Sequence, residues 1–288
     1  MAFRMADCMS DLSSRLGLAA NLIRSADALL ITAGAGMGVD SGLPDFRGDA
    51  GFWKAYPALA KAGTSFVEAA NPQHFEDHPR RAWGFYGHRL NLYRATKPHE
   101  GFAILKKWID ARQGRGFVLT SNVDGQFQKA GFDEDKLFEI HGSIHHLQCT
   151  AFNCRSGIWS ADELKVEVDE AQCQLISNLP KCPNCGRLAR PNILMFDDWK
   201  WKDERTLKQQ TAFQQWMLAR KEEGHKVVTI ELGAGTQIAT VRWQGDHLPY
   251  PLIRINPTDE ELPRSKLGIG LRLGGLEALN RVNQLLLC

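Results

Sequence analysis

The sequence predicts an α/β fold: an open parallel sheet with helices on both faces, a helical insertion and a small cysteine-rich module. Three observations carry that expectation. Four short apolar runs, separated by helical stretches, each end in small or polar residues. That is the pattern of parallel strands whose carboxyl ends line a crevice. The first run passes straight into a glycine-rich turn, Gly34-Ala35-Gly36-Met37-Gly38. Two close cysteine pairs, Cys149/Cys154 and Cys182/Cys185, bracket a polar insert.

In chain order, residues 11–25 place Leu12, Leu16, Ala19, Leu22 and Ile23 at helical spacing, an amphipathic helix to pack beside the first strand. Ala28-Leu29-Leu30-Ile31 is that strand, apolar throughout because a parallel sheet is covered on both faces. The turn after it departs from G-x-G-x-x-G, since Val39 stands in the place of the third glycine. Nor does a strand about 20 residues further on end in the acid that would hold an adenine ribose. Leu43-Pro44 and then Asp45-Phe46-Arg47 follow instead. An acid, an aromatic and an arginine together can hold a ribose, cover a ring and pair with a phosphate.

Residues 49–97 scatter Pro57, Pro72 and Pro79 among Trp, Phe, Tyr and His, which reads as short helices broken by turns. Residues 116–120, 226–230 and 251–255 are the other three strands. They end in Ser121-Asn122-Val123-Asp124, in Glu231-Leu232-Gly233-Ala234-Gly235-Thr236 and in Asn256-Pro257. Residues 276–287 close the chain as an amphipathic helix.

At 288 residues the chain can form one large domain with a smaller appendage. A net charge of +2 is too balanced to point to nucleic acid. No run reaches the roughly 18 apolar residues of a membrane span, and residues 1–7 lack the apolar core of a secretion signal. Seven cysteines, four of them clustered, favour a metal over disulfides and a reducing, cytoplasmic setting.

Four thiolates at tetrahedral distance make a closed structural zinc site, with no position left for substrate. Cys182-Pro183-Asn184-Cys185 has ribbon spacing, while Cys149 and Cys154 are four residues further apart than neighbours. Cys173, His145 and His146 are alternative ligands. The role of Zn2+ here would be to fold residues 147–189, not to catalyse. The catalytic candidate lies in Glu139-Ile140-His141-Gly142-Ser143. An imidazole, with an ordinary pKa of about 6.5, suits proton abstraction near neutrality. Gly142 lets a backbone or a ligand approach closely, and Asn122 and Asp124 offer polar groups from the preceding strand end.

Together these stretches resemble the sirtuins, the NAD-dependent protein lysine deacylases. The resemblance runs from about residue 28 to about residue 256 and rests on several motifs in the family's order. They are the turn from Gly34 through Arg47, Thr120-Ser121-Asn122-Val123-Asp124, the His141-Gly142 pair, the two cysteine pairs, Arg190-Pro191-Asn192-Ile193-Leu194-Met195-Phe196 and Arg254-Ile255-Asn256. The resemblance implies a Rossmann-like NAD-binding domain formed by residues 1–48, 98–146 and 190–288. Residues 49–97 would be a cofactor loop and helical insertion, and 147–189 the zinc-binding module.

It also implies roles. Gly34 and the amides of Ala35 and Gly36 would receive the pyrophosphate, with Gly233, Ala234, Gly235 and Asn256 near the phosphates and ribose. Asp45, Phe46 and Arg47 would lie on a mobile loop, Phe46 shielding the reactive face from water. Ser121, Asn122 and Asp124 would hold the ribose and carboxamide, and His141 would act as base toward a ribose hydroxyl. NAD would be a consumed cosubstrate, and an acyl-lysine protein or peptide, lying by Phe196, the other partner. Tyr86 and Arg89, three apart on one helix face, resemble the pair that takes acidic acyl groups such as succinyl or malonyl.

The chain departs from the family at Gly38 for Ser, Ser121 for Gln, Gly233-Ala234-Gly235 for Gly-Thr-Ser, and Asp197-Asp198 for Gly-Glu. The last change predicts a carboxylate placed to repel an acidic acyl group or obstruct the peptide. Trp199, Lys200, Trp201 and Lys202 make an aromatic-basic rim, either packing or a substrate entrance. Two rival functions remain: NAD hydrolysis or ADP-ribosyl transfer in the same cleft, and a zinc-ribbon module that binds a partner and senses NAD.

Overall fold

The computed structural model describes residues 2–45, 48–61 and 63–287. Helix α1 (Ala2–Ser25) leads into β1 (Ala28–Ala33) and a 3-10 turn over Ala35–Ser41. Short helices follow: α2 (Gly48–Ala55), α3 (Pro57–Lys61), α4 (Phe66–Ala69) and α5 (Gln73–Asp77), then the longer α6 (Pro79–Ala95) and α7 (Glu100–Asp110). Next come β2 (Gly116–Thr120), α8 (Gln126–Lys129), β3 (Leu137–Glu139) and β4 (Gly142–Cys149). The middle of the chain forms β5 (Ile158–Ser160), β6 (Val168–Asp169), β7 (Gln174–Leu175) and β8 (Ala189–Ile193). It ends with α9 (Glu204–Glu222), β9 (Val227–Leu232), α10 (Thr240–His247), β10 (Leu252–Ile255), β11 (Gly268–Leu271) and α11 (Gly275–Leu287).

Six strands form a parallel sheet in the order β11-β10-β9-β1-β2-β3. β1 is buried at every position, and its side chains alternate between two cores. Leu29, Ile31 and Ala33 join Ile23 of α1, Leu105 and Trp108 of α7 and Leu279 of α11. Ala28 and Leu30 join Phe213 and Trp216 of α9 and Val241 of α10. Each such Leu or Ile removed from water contributes about 1.5–3 kcal/mol. Covered on both faces, the strand needs no polar side, which is why its sequence shows an unbroken apolar run.

A second body sits over the carboxyl edge of this sheet. β4, β5 and β8 pair antiparallel, and the β6–β7 hairpin packs beside α6. Its core is one cluster in which Phe52, Phe75, Trp83 and Tyr86 from the helical insertion meet Ile144, Leu147, Leu175 and Ile193 from the strands. The Trp83 indole donates to the Ala189 carbonyl across that join (2.8 Å). The helical insertion and the cysteine module are thus physically one lobe. Since β4 and β8 pair from Gly142 to Ile193, its strands reach beyond residues 147–189.

The described structure adds two edge strands, β3 and β11, and the long helix α9, none of which the sequence pattern announces. β3 has three residues and ends in a buried carboxylate, Glu139. β11 contains Gly268 and Gly270, which read locally as a turn. Glu231 is not a strand end as expected but lies within β9, opposite Arg254 on β10. Those two side chains form a buried ion pair, joined by Asp246.

Candidate functional site

The glycine turn is shaped by backbone packed on backbone. Gly233 has φ +59, a region that costs a side chain steric energy, and a Cβ there would lie 2.3 Å from the Gly36 carbonyl carbon. A Cβ on Gly36 would in turn come within 2.7 Å of Gly233 Cα. The ends of β1 and β9 therefore approach as closely as two chains can, fixing the floor of the crevice. The cost is that donors are used up. Gly34 N–H donates to the Leu232 carbonyl (3.0 Å) and Gly36 N–H to the Gly233 carbonyl (3.1 Å). The Gly36 amide is therefore no open phosphate donor, a correction to the expected role. Ala35 and Gly235 are exposed at the rim.

Asn122 lies across the same turn. Its Nδ2 donates to the Gly34 carbonyl (3.1 Å), and its own N–H donates to Thr120 Oγ1 (3.0 Å). Thr120 Oγ1 donates to the Ala33 carbonyl (2.8 Å), so this threonine sets the position of Asn122. Asp124 is buried, one oxygen accepting from Gln126 N–H (2.9 Å). Burial pushes its carboxyl up to about 6, while Arg89 pulls the other way. His145 ring Nε2 lies 3.0 Å from the Asp124 carbonyl and its ring packs on Gly125, whose φ is +70.

His141 follows β3. Ile140 N–H donates to the Thr120 carbonyl and Leu194 N–H to the His141 carbonyl, each at 2.9 Å. The residue is thus pinned between the end of β2 and the segment that follows β8. Burial holds the imidazole below its ordinary value, and the Ser121 backbone opposes that effect, so Ser121 serves His141 through its main chain. Gly142, at φ +75, has its missing Cβ 2.2 Å from the Asn192 carbonyl oxygen. The close approach it permits is that of β8, not of a ligand.

Other expected site residues are placed less directly. Asn256 is buried and saturated by its own loop: Nδ2 donates to the Ala234 carbonyl (3.0 Å), and Oδ1 accepts from the N–H groups of Thr258 and Asp259, both 3.0 Å. It braces the 233–235 loop, and Ala234 itself is buried. Asp45 is half-buried, and Phe46 and Arg47 lie outside the described residues. Phe196 packs edge-on against Phe66 (6.0 Å), and its N–H donates to the Ala70 carbonyl (2.9 Å).

Tyr86 is wholly buried, stacked on Phe75 at 5.5 Å. Arg89 Nε donates to Tyr93 Oη (3.0 Å), and its guanidinium lies 5.2–5.6 Å from the Phe85, Tyr86 and Tyr93 rings. Tyr93 and Thr120 are contributors the sequence reading missed. Tyr93 was within reach of the argument, because it lies four residues past Arg89 on the same helical face.

Asp198 overturns one expectation. Its carboxylate is buried against Arg190 (2.7 Å, side chains 0% and 1% exposed), so it points away from any substrate. Asp197 takes φ +54, a conformation that Gly adopts freely and Asp tolerates better than most residues.

In the smaller lobe, the sulfur atoms of Cys149, Cys154, Cys182 and Cys185 all lie within 4.8 Å of one another. Cys149–Cys185 and Cys154–Cys182 are each 3.6 Å apart. Tetrahedral Zn–S bonds of about 2.3 Å require sulfurs about 3.8 Å apart, so the cluster is positioned to hold a structural zinc ion. Hydrogen bonds from Ser156 and Asn184 pull Cys154 down to about 5, toward the thiolate that binds metal. Among the described residues, neither Cys173, His145 nor His146 belongs to the cluster. Cys173 instead sits in the β6–β7 turn at φ +51.

A parallel sheet with packed glycine turns at its strand ends, joined to an antiparallel lobe with a zinc-type cysteine tetrad, defines a two-lobed Rossmann-like α/β protein. The profile of the Sir2 family matches residues 34–219, and the chain belongs to that family. It is 32% identical over 179 residues to an NAD-dependent protein deacylase of Pyrococcus abyssi, covering 62% of this chain and 64% of that protein. It is 33% identical over 209 residues to the NAD-dependent protein deacylase sirtuin-5, mitochondrial, of Canis lupus familiaris, covering 68% and 64%. The chain thus spans just under two thirds of the length of these relatives. A solved Sir2 homologue in complex with NAD superposes with a TM-score of 0.63 at 23% identity, covering 93% of this chain and 92% of that one. A mutant Sir2 homologue with ADP-ribose gives a TM-score of 0.64 at 23% identity, covering 92% and 95%. Among the described residues, no helix is long and apolar enough to cross a membrane.

Proposed function

We propose that this protein is an NAD-consuming lysine deacylase of the sirtuin type, working in the reducing cytoplasm that suits its free thiols. One observation carries the reading: His141, at the end of β3, lies beside the paired end of β2 that carries Asn122 and Asp124, joined there by the Ile140 N–H on the Thr120 carbonyl (2.9 Å). The relatives' description as NAD-dependent protein deacylases supports it. So does a Sir2 structure determined with a deacetylated peptide.

Bound NAD would supply an anomeric carbon that becomes electrophilic as nicotinamide departs, and the acyl oxygen of a modified lysine would attack it. Asn122 and Asp124 would orient the nicotinamide half, each held by its own hydrogen bonds before ligand arrives. Ala35, Gly235 and the exposed rim would face the phosphates, and the Gly34, Gly36 and Gly233 backbones would shape the floor beneath them. Asp45, Phe46 and Arg47 would close over the cofactor. Neutral His141 would take a proton from a ribose hydroxyl so that its oxygen attacks the acyl carbon. The lysine amine would leave with a proton and one water would add to the cyclic acyl intermediate, so that the products would be nicotinamide, free lysine and O-acyl-ADP-ribose. Phe196 would flank the acyl-lysine.

The acyl preference follows from Arg89. A guanidinium buried among the Phe85, Tyr86 and Tyr93 rings favours a carboxylate-bearing acyl group such as succinyl or malonyl. With Asp198 turned into its ion pair, that carboxylate would meet no repulsion from Asp198. Mass spectrometry of acetyl-, succinyl- and malonyl-lysine peptides mixed with protein and NAD tests both points. O-acyl-ADP-ribose is the expected product; free ADP-ribose alone would indicate NAD hydrolysis instead. Arg89→Met is expected to lower succinyl turnover about 10- to 100-fold, the worth of a charge-assisted hydrogen bond. Succinyl turnover that survives this change would rule out the acidic-acyl preference.

Acidity gives a further expectation. Asp124 is ionised above about pH 6, and burial holds His141 below its ordinary value, favouring the neutral base. The Asp124 carboxylate is therefore lost as pH falls through about 6, and kcat/KM should drop on that acid limb. Stability runs the other way. Asp124 has a folded pKa above its unfolded value, so its contribution is present at low pH and lost as pH rises through about 6. A pH–rate profile in which Asp124→Asn keeps the whole limb would exclude this carboxylate as its source.

A further inference from the structure

The turn after Phe196 is rigid and presents two side chains outward. The Asp198 carboxylate anchors it, bonding Arg190 (2.8 Å), the Met195 N–H (3.4 Å) and the Lys200 N–H (3.3 Å). Trp199 N–H folds back onto the Asp197 carbonyl (3.2 Å), and Gln148 Nε2 holds the Lys200 carbonyl (2.8 Å). At the apex of this braced turn Trp199 is 91% exposed, more than any other large apolar side chain among the described residues. Asp197 beside it is also exposed.

The basic residues of the turn are already engaged. Lys200 pairs with Glu76 of α5 (2.6 Å), and Lys202 Nζ donates to the Cys154 carbonyl (2.9 Å). The open charge at the apex is the Asp197 carboxylate, with Asp203 and Glu204 exposed a few residues on. An indole face beside a carboxylate is complementary to a cation, since the ring quadrupole and the acid attract the same charge.

The apex is also continuous with the reaction centre. Leu194 N–H holds His141, and Trp199 lies three residues beyond Phe196, at most about 11 Å of chain away. An extended peptide covers that span in two to three residues. We propose that Trp199 and Asp197 form a subsite for an arginine or lysine side chain two or three positions from the acyl-lysine. This rests on the deacylase reading above, and makes the rim a specificity element rather than mere packing.

The test uses acyl-lysine peptides that differ only at those positions, carrying Arg, Ala or Glu. Turnover with NAD and peptide affinity by calorimetry are both measured. The Arg peptide is expected to bind about five- to tenfold more tightly than the Ala peptide, as befits one exposed cation–π contact with a carboxylate partner. The advantage should appear in KM with kcat unchanged. Trp199→Ala and Asp197→Asn should each reduce it to about twofold or less, leaving the Ala peptide and the KM for NAD as they were. Both variants are expected to fold, since Trp199 is nearly all in solvent and Asn tolerates the left-handed conformation of Asp197. Equal binding of all three peptides to the wild type, or a preference that persists in Trp199→Ala, would overturn the subsite. Absence of nicotinamide release with every peptide would instead sink the deacylase reading, and the affinity comparison would still judge the subsite.

Discussion

His141→Ala is expected to lower deacylation by about 10²- to 10⁴-fold while the protein stays folded and binds NAD. The residue's main chain, not its ring, carries the local structure: its carbonyl accepts from Leu194 N–H, and the neighbouring Ile140 N–H donates to the Thr120 carbonyl. Both bonds survive truncation to Ala. What the imidazole adds is the proton-accepting nitrogen, kept neutral by burial. The loss should therefore fall on kcat, with NAD affinity measured by calorimetry little changed. Release of nicotinamide precedes the need for the base, so exchange of labelled nicotinamide into NAD should persist. A variant with full product formation by mass spectrometry would remove His141 as the base. It would return attention to the NAD-sensing, partner-binding alternative.

Removing the metal is expected to have the larger structural effect. A structural zinc site in small peptides is worth about 10–16 kcal/mol, as much as the whole stability of a typical domain. The four cysteines come from the end of β4, the loop after it and the knuckle before β8, so the ion clamps that loop and knuckle onto the paired ends of β4 and β8. Cys182→Ser should bring bound zinc from about one ion per chain to none and unfold the smaller lobe. Because Trp83 and Tyr86 share a core with Leu147 and Ile193, the helical insertion should loosen with it. The parallel sheet has cores of its own and should hold. Hydrogen exchange would then show α6, β4 and β8 losing protection while β1, β2 and β9 retain theirs. A zinc-free variant that melts like the wild type would show that the tetrad has no structural role.

The central strands were legible because burial on both faces leaves an uninterrupted apolar run, as in residues 28–33. The cysteine tetrad was legible because metal ligation demands sulfur at short spacing whatever the fold around it. The edge strands were not. β3 and β11 are defined by the strand beside them, and nothing in three residues ending in Glu139, or in a Gly-Ile-Gly-Leu run, specifies a partner. α9 escaped because it buries mainly Thr206, Phe213 and Trp216 along nineteen residues, too sparse a stripe to set a period. Asp198 was misread for a related reason. A carboxylate's meaning depends on whether a guanidinium lies against it, and Arg190 is eight residues back, on β8.

The sequence alone determined the kind of chemistry this chain carries: a glycine turn behind a buried strand, a histidine beside an Asn-x-Asp strand end, and four thiols for one ion. Spacing and order along the chain are enough for these, since each is assembled from short runs of recognisable residue types. The tertiary structure decided which groups are free to act. It tied the Gly36 amide and the Asn256 side chain into the frame, turned Asp198 inward, joined the helical insertion to the zinc lobe and left Trp199 standing in solvent. Whether a polar group is spent on the fold or available to a ligand depends on the partner that packing brings to it, and those partners come from distant parts of the chain.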